Sequence, residues 1–404
     1  MTPEILEQHP WARFEPNLQK VPHTLWMRLG QARAQCEQIA CVPLHPKVAQ
    51  QLSRIYLAKG VLATTAIEGN TLTEAEALAF LNNELKLPQS KEYLMVEINN
   101  IVRACNKIAK KGLNDSISID TLRVYNSWVL SDLPCEEHVI PGEIRKFSVT
   151  VGRYKPPNSE FCLRLLDAFC AWLKRLREHS EEQSDYGIEY TIIRAVLAHL
   201  YFVLIHPFAD GNGRTARLLE FRILLGAGIP APAAHLLSNF YNSTRVEYYK
   251  QLDFASKTGE CVNFLTYAVE GLVGQLNEQL TFIRAQQTSI IWKDFIYDAF
   301  EHAKSETAVR RRTLVLSLSA QLKPISAKKV REISPKLTEM YAGKQNRTVT
   351  RDLNELSSMG LIREVEDGYV VNKELVLAFM PMSNNPELVN QVPVFMHQYF
   401  DTTF

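Results

Sequence analysis

Residues 206–217 read HPFADGNGRTAR, with a histidine, an aspartate, an asparagine between two glycines, and two arginines. Gly211-Asn212-Gly213 lets backbone approach a ligand closely, because two of the three residues lack a Cβ. Leu218 and Leu219 open a helical pattern directly afterwards. A glycine-rich turn feeding a helix aims unpaired N–H groups at one point, which makes an anion site. Arg214 and Arg217 are three apart and share one face of the first turn. Two guanidiniums overload a helix end that is already positive. A polyanion such as a triphosphate relieves that excess. Asp210 then opposes the anion unless a divalent cation lies between them, and Mg²⁺ held by one carboxylate plus phosphates is the usual arrangement. His206, with an ordinary pKa of about 6.5, suits a general base at neutral pH. The set implies transfer of part of a nucleotide onto a nucleophile deprotonated by His206.

Each residue taken alone has a plainer reading. His206 follows the apolar run AVLAHLYFVLI and fits a core histidine. GNG is more often a turn than a phosphate seat. The stretch is not a Walker loop, since no Gly-Lys followed by Ser or Thr is present, and GxGxxG after a strand is absent as well. Ligation of a transition metal by His206 and Asp210 lacks a second histidine pair.

Most of the surrounding chain has helical spacing. QLSRIYLAKGVLATTAIEGN places Leu52, Ile55, Tyr56 and Leu62 on one face, and Gly69-Asn70 provides a stop. Thr73 and Glu76 form a capping box for TEAEALAFL. KEYLMVEINNIVRACNKIA, SIDTLRVYNSWVL, FCLRLLDAFCAWLKRL, RTARLLEFRILLGAG and the stretch from Tyr248 to about Phe282 are further helices. SVTVGRY alternates and is rich in β-branched residues, so it predicts an extended strand or hairpin ended by Pro156-Pro157. Beyond a boundary near 285–305 the rhythm changes. SAKKVREI predicts a short helix, TVTRDLNELSSMGL a second one stopped by Gly360, and LIREVEDGYVVN two strands about an Asp-Gly turn.

The chain of 404 residues is long enough for two or three domains. AVLAHLYFVLI is too short for a membrane span and carries His199. The N-terminus lacks the apolar core of a secretory signal. Seven cysteines show no CxxC pair, which suggests reduced thiols and a cytoplasmic location. The net charge of +1 hides an asymmetry, since residues 310–363 hold 12 Lys/Arg against 4 Asp/Glu. The basic part therefore reads as a separate module.

HPFADGNGRTAR resembles, without a gap, the signature HxFx(D/E)GNGRxxR of Fic-domain proteins, and the resemblance spans at least residues 60–257. It implies Mg²⁺-dependent transfer of AMP from ATP to a Ser, Thr or Tyr hydroxyl of a target protein, the chain itself included. In that family pattern His206 is the base, Asp210 the Mg²⁺ ligand and Phe208 a buried anchor. Gly211, Asn212, Gly213, Thr215 and Ala216 complete the anion hole, Arg214 binds phosphate, and Arg217 pairs with the γ-phosphate. TTAIEGN resembles the inhibitory motif (S/T)xxxE(G/N), which implies that Glu68 pairs with Arg217 and holds the enzyme off. SVTVGRYKPP resembles the flap, so Val151, Gly152, Arg153 and Tyr154 should lie against nucleotide and target. RVEYYKQL resembles the adenine-side helix, with Tyr248 and Tyr249 at the base.

The expected fold is mainly α, a Fic-type helical core with a small β-hairpin flap plus a C-terminal winged helix-turn-helix domain. The expected divisions are 1–115, an N-terminal helical region with the inhibitory helix; 116–285, the catalytic core; 286–384, the winged helix; and 385–404, a tail. In the last module Arg347, Arg351 and Asn354 face a DNA groove if the module binds DNA; protein docking, including a homodimer, is the other reading, and no membrane contact is expected. Two other functions remain open: a DNA-binding regulator that senses nucleotide, and an enzyme that removes AMP with Glu68 positioning water.

Overall fold

The computed structural model describes residues 3–82, 84, 88–110, 116–182 and 186–377; the expected 385–404 tail lies outside them. The helices of the N-terminal part are α1 (Pro3–Gln8), α2 (His23–Cys41), α3 (Pro46–Ala66), α4 (Glu74–Leu81), α5 (Glu92–Lys110) and α6 (Ile119–Val129). Next come α7 (Ser159–Glu182), α8 (Gly187–Ile205), α9 (Asn212–Gly226), α10 (Ala231–Ala234), α11 (Leu236–Ser243) and α12 (Arg245–Thr258). The last are α13 (Val262–Ala299), α14 (Glu306–Ser319), α15 (Pro335–Met340) and α16 (Asn346–Ser358). Strands β1 (Ile362–Val365) and β2 (Gly368–Val371) pair antiparallel, with Ile362 opposite Val371. The chain divides into compact units Met1–Asn277 and Glu278–Phe404. That division lies a little ahead of residue 285 and, like residue 285, falls within α13.

In the first unit α8 is the central helix. Ile192, Val196, Leu200 and Ile205 are fully buried, and α7 and α9 pack against it. The apolar run that reads as too short for a membrane span belongs to a longer helix. By length and composition Gly187–Ile205 passes that test, but 78% of its apolar window is buried inside the protein. A helix that is apolar all round and enclosed by others is a core helix. It stops where His206 adopts a left-handed backbone, φ 50°, just before Pro207. The expected capping box forms at α4: the Thr73 hydroxyl accepts from Glu76 N at 3.2 Å, and the Glu76 carboxylate accepts from Thr73 N at 2.8 Å. The single helix read from Tyr248 to about Phe282 is instead two. Gly259, at φ 74°, ends α12 in a left-handed cap, and α13 then runs on to Ala299.

The second unit closes over Trp292, Leu314, Leu318, Leu353, Leu356 and Ile362. SAKKVREI supplies only a 3₁₀ turn, Val330–Glu332, because Val330 alone of its residues is fully buried. The two helices before the ribbon are α15 and α16, with α14 preceding them. The connection between strands is Glu366-Asp367, while Gly368 already pairs with Val365. Asp352 is completely buried on α16 and accepts from Arg310 Nε at 2.8 Å, Arg311 Nε at 2.9 Å and the Tyr341 hydroxyl at 3.0 Å. Two of the basic residues in this region therefore spend their charge inward.

Candidate functional site

The loop between α8 and α9 is built by backbone bonds to buried side chains. The Asn212 amide accepts from Phe208 N and donates to Phe208 O, both at 2.9 Å. Its side chain thus staples the loop, and only its backbone N–H is left to face an anion. Phe208 is 1% exposed, so it anchors the loop in the core. Gly211, at φ 76°, is the N-cap of α9, and a Cβ there would meet Asn126 Nδ2 at 2.9 Å. Thr215 and Ala216 turn their side chains into the core and offer a ligand no more than backbone.

Glu68 stands on the entrance of this helix. α3 ends at Ala66, and Gly69 at φ 108° turns the chain so that Glu68 projects from the turn. A Cβ on Gly213 would collide with the Glu68 carboxylate, which therefore lies over the first turn of α9. Glu68 Oε1 accepts from Arg217 Nη2 at 2.6 Å, and the same nitrogen donates to the Thr64 carbonyl at 2.9 Å. Thr64 contributes its carbonyl, since its hydroxyl is turned back to Gly60 O. The Arg217 side chain is 1% exposed and that of Glu68 is 32% exposed. Burial pushes the Glu68 carboxyl up, but the Arg217 charge and hydrogen bond outweigh it and hold the pKa below the ordinary value.

His206, Val151–Tyr154, Glu68, Gly213, Tyr248 and Tyr249 share the lining of a cavity of about 670 Å³, within the size range of small-molecule sites. Asp210, Gly211, Asn212, Arg214 and Arg217 are not among the residues that line it; they lie in the adjoining loop and the first turns of α9. The segment expected as a strand or hairpin is shorter than that. Only Val151 and Tyr154 pair, with reciprocal bonds of 2.9 Å around Gly152-Arg153. Among the described residues no second strand adjoins residues 148–150, and β-branched residues hold a ladder only when a partner is present. Tyr154 pins the turn by donating its hydroxyl to Leu204 O at 2.7 Å. The tyrosine pair divides: Tyr248 is 2% exposed and bonds His199 Nε2 at 2.9 Å, whereas Tyr249 is 47% exposed at the mouth.

Three positioning groups escape the sequence reading. Asn126 on α6 is fully buried, donates to Asp210 O and accepts from Gly142 N, both at 2.9 Å. Arg145 donates to the carbonyls of His206 and Phe147 at 2.8 Å and to that of Pro157, so it ties the histidine to the segment leading into α7. Glu97 on α5 accepts from Arg214 Nη1 at 2.9 Å, while Arg214 Nη2 reaches Asp210 Oδ2 at 3.2 Å. Asn126 and Glu97 each carried a signal, a polar residue on an otherwise apolar helical stripe. Arg145 carried none.

Burial sets the protonation of the histidines. The His206 pKa is pushed down to about 4, chiefly by desolvation, and Nδ1 lies 3.2 Å from Val203 O. A neutral ring that donates from Nδ1 leaves the Nε2 lone pair free. His235 is likewise pushed down to about 4, and His199 lies well below 6.5. Between about pH 6.5 and 4 the unfolded chain binds protons that the folded unit refuses, so folding stability must fall as pH falls through that window. A fully buried histidine shifted this far contributes about 3 kcal/mol of loss by pH 4. Calorimetry of the full chain should show the first unit's melting temperature dropping below pH 6.5. Replacing His235 by phenylalanine should reduce the slope. Glu220 works in the opposite direction: burial raises it to about 8, so its contribution weakens as pH rises from about 4.5 towards 8.

Residues 116–224 match the Fic/DOC family. Protein adenylyltransferase fic-1 of Caenorhabditis elegans is 30% identical over 236 residues, covering 57% of this chain and 42% of that protein. Protein adenylyltransferase Fic of Nematostella vectensis is 32% identical over 196 residues, covering 48% of this chain and 42% of that protein. The chain thus spans less than half the length of these relatives. A solved structure of Fic-1 from C. elegans superposes with a TM-score of 0.52 at 26% identity, over 64% of this chain and 72% of that one. A Fic family protein from Desulfovibrio desulfuricans shares the fold, with a TM-score of 0.54 at 18% identity over 89% of this chain and 98% of that one. The matched segment contains His206, Asp210, Arg214, Arg217 and the 151–154 turn. Residues 116–224 are therefore similar to the Fic/DOC family, in the part of the chain that holds the loop between α8 and α9.

Proposed function

We propose that this protein transfers AMP from ATP to a hydroxyl side chain of a target protein, and that Glu68 restrains it from within the same chain. The supporting observation is a neutral imidazole in one cavity with a helix N-terminus whose anion seat carries a carboxylate. His206 Nε2 takes the proton of the Ser, Thr or Tyr hydroxyl. The freed oxygen bonds to the α-phosphorus, the bond to the β-phosphate oxygen breaks, and pyrophosphate leaves. The N–H groups of α9 receive phosphate charge, and Arg217 takes the γ-phosphate once Glu68 withdraws. The Val151–Tyr154 turn offers backbone to an extended target segment. Asp210 suits a Mg²⁺ ligand: its carboxylate is half exposed beside the anion seat, and one carboxylate plus phosphates is a usual Mg²⁺ ligand set. Mg²⁺ bound there supplies charge neutralisation between carboxylate and phosphates.

The test is incubation of the wild-type chain and the Glu68→Gly variant with labelled ATP, GTP, UTP and CTP in Mg²⁺, followed by mass spectrometry of the chain and of added lysate proteins. Addition of one AMP from ATP is the expected result. Labelling by another nucleotide changes the substrate, and no labelling by any of them overturns the reading.

A second reading concerns the C-terminal unit. α16 exposes Asn346, Arg347, Thr350, Arg351 and Asn354 along one side. Such a face suits duplex DNA. Against it, Glu355 lies on the same helix, and Glu364, Glu366 and Asp367 cluster at the ribbon. DNA binding that steepens as salt is lowered supports this reading, and no mobility shift at low salt ends it.

A further inference from the structure

We propose that Glu97 is a positioning residue, one that holds Arg214 ready for the incoming phosphates and joins it to the turn carrying Glu68. The inference rests on the adenylyl-transfer reading and names a regulator of that same site.

A continuous run of hydrogen bonds carries it. Asn70 follows Glu68-Gly69 directly and is 7% exposed. Its amide nitrogen donates to Leu94 O at 3.0 Å and to Glu97 Oε2 at 2.9 Å, and its oxygen accepts from Leu72 N at 3.1 Å. The other oxygen of Glu97 accepts from Arg214 Nη1 at 2.9 Å. Arg214 Nη2 then reaches Asp210 at 3.2 Å. The turn that bears the restraining carboxylate is thus bonded, through Asn70 and Glu97, to the second arginine of the site.

Charge explains the arrangement. Glu68, Glu97 and Asp210 set three carboxylates against Arg214 and Arg217, in a seat meant for a polyanion. Glu68 lies on a turn and can leave Arg217. Glu97 belongs to α5 and stays. It holds Arg214 by Nη1 only, which anchors the guanidinium and leaves Nη2 for phosphate once Asp210 is engaged with a cation. The side chains of Arg214 and Glu97 are 6% and 14% exposed, so the pair is largely shielded from solvent. Glu97 also lies on the stripe formed by Leu94, Ile98, Ile101 and Cys105, a costly place for a carboxylate with no task. One side chain therefore serves both states. It braces Asn70 while Glu68 is in, and it keeps Arg214 aimed when Glu68 is out.

Two roles with opposite consequences give a distinctive test. Glutamine at 97 carries no charge and offers one oxygen to two donors that now use separate oxygens, so the holds on Asn70 and on Arg214 both weaken. ATP affinity is measured by titration calorimetry on the full chain, with His206→Ala in every variant so that no ATP is consumed. With Glu68 present, Glu97→Gln is expected to tighten ATP binding by about threefold to tenfold, because the turn loosens. In the Glu68→Gly background the same change is expected to weaken binding by a similar factor, because only the anchoring of Arg214 remains to be lost. Asn70→Ala, which leaves Arg214 held, should tighten binding when Glu68 is present and have no effect in the Glu68→Gly background. Amide hydrogen exchange without nucleotide should quicken over residues 67–72 in Glu97→Gln and Asn70→Ala.

Weakened binding in both backgrounds marks Glu97 as merely structural and overturns the proposal. Unchanged exchange over 67–72 overturns the link to the turn. If exchange quickens yet no variant binds ATP, the adenylyl-transfer reading fails while the coupling of Glu97 to the turn stands.

Discussion

Replacing Glu68 by glycine is expected to tighten ATP binding and raise protein labelling by about tenfold to a hundredfold. The carboxylate now sits over Gly213, and its bond to Arg217 Nη2 is 2.6 Å long. ATP must break that bond and displace the carboxylate before its own phosphates reach the helix. A charge-assisted bond is worth about 1.5–3 kcal/mol. The third of the Glu68 side chain open to solvent favours the lower part of that range. Without Glu68, Arg217 is left buried with the Thr64 carbonyl as its hydrogen-bond acceptor, and its Nε and Nη1 already lack partners. The variant should therefore melt earlier than wild type when empty and recover with ATP, since a ligand that binds only the folded state stabilises it. Acid cannot substitute for the mutation near neutrality. Arg217 holds Glu68 ionised below the ordinary carboxylate range, so the restraint should persist until the pH falls below about 4.5. Calorimetric affinity and mass-resolved labelling check these outcomes together, and equal labelling by both proteins would remove Glu68 as the restraint.

The catalytic loop was legible because its chemistry is carried by side-chain types at short spacing. Two glycines, a histidine and two arginines within HPFADGNGRTAR already imply a helix N-terminus built for an anion. Glu68 is harder to see. Nothing in TTAIEGN points to Arg217 except the family pattern, and the contact closes only when α3 and α9 pack in one unit. Arg145 left no trace, because it acts on the backbone carbonyls of His206, Phe147 and Pro157, and any residue supplies a carbonyl. Asn126 and Glu97 are different. Each interrupts an apolar stripe, Leu122–Tyr125–Val129 in one case and Leu94–Ile98–Ile101 in the other. A polar residue there must find a partner inside. In the C-terminal unit α14 escaped notice because Arg310 to Arg312 interrupt its apolar period. Arg310 is nonetheless buried, made tolerable by Asp352 more than forty positions away. The flap is shorter than its β-propensity predicts for the converse reason: Val151 and Tyr154 pair, but among the described residues no strand pairs with 148–150.

His206→Ala should abolish most transfer while leaving ATP bound, with a loss of about a hundredfold to ten-thousandfold in rate. The ring makes a single hydrogen bond, from Nδ1 to Val203 O, and Arg145 holds the residue through its backbone carbonyl. Removing the imidazole therefore leaves the loop's framework intact. The nucleotide's seat is made by α9 and its arginines, so affinity should change by no more than about twofold, as expected when a group acts only in the transition state. Because burial keeps the ring neutral down to about pH 4, the wild-type rate should not fall through the usual histidine range on acidification. A fall centred near 6.5 would mean that the ring is solvated in the working state. Stability separates the base from a core histidine. His206 stands at φ 50°, a left-handed conformation that costs a residue with a side chain about 1–2 kcal/mol. Asparagine tolerates this region better than most residues. The His206→Asn variant should then melt no earlier than wild type and still fail to transfer AMP. A structural histidine would give the reverse, a lower melting temperature with activity in proportion to the folded fraction.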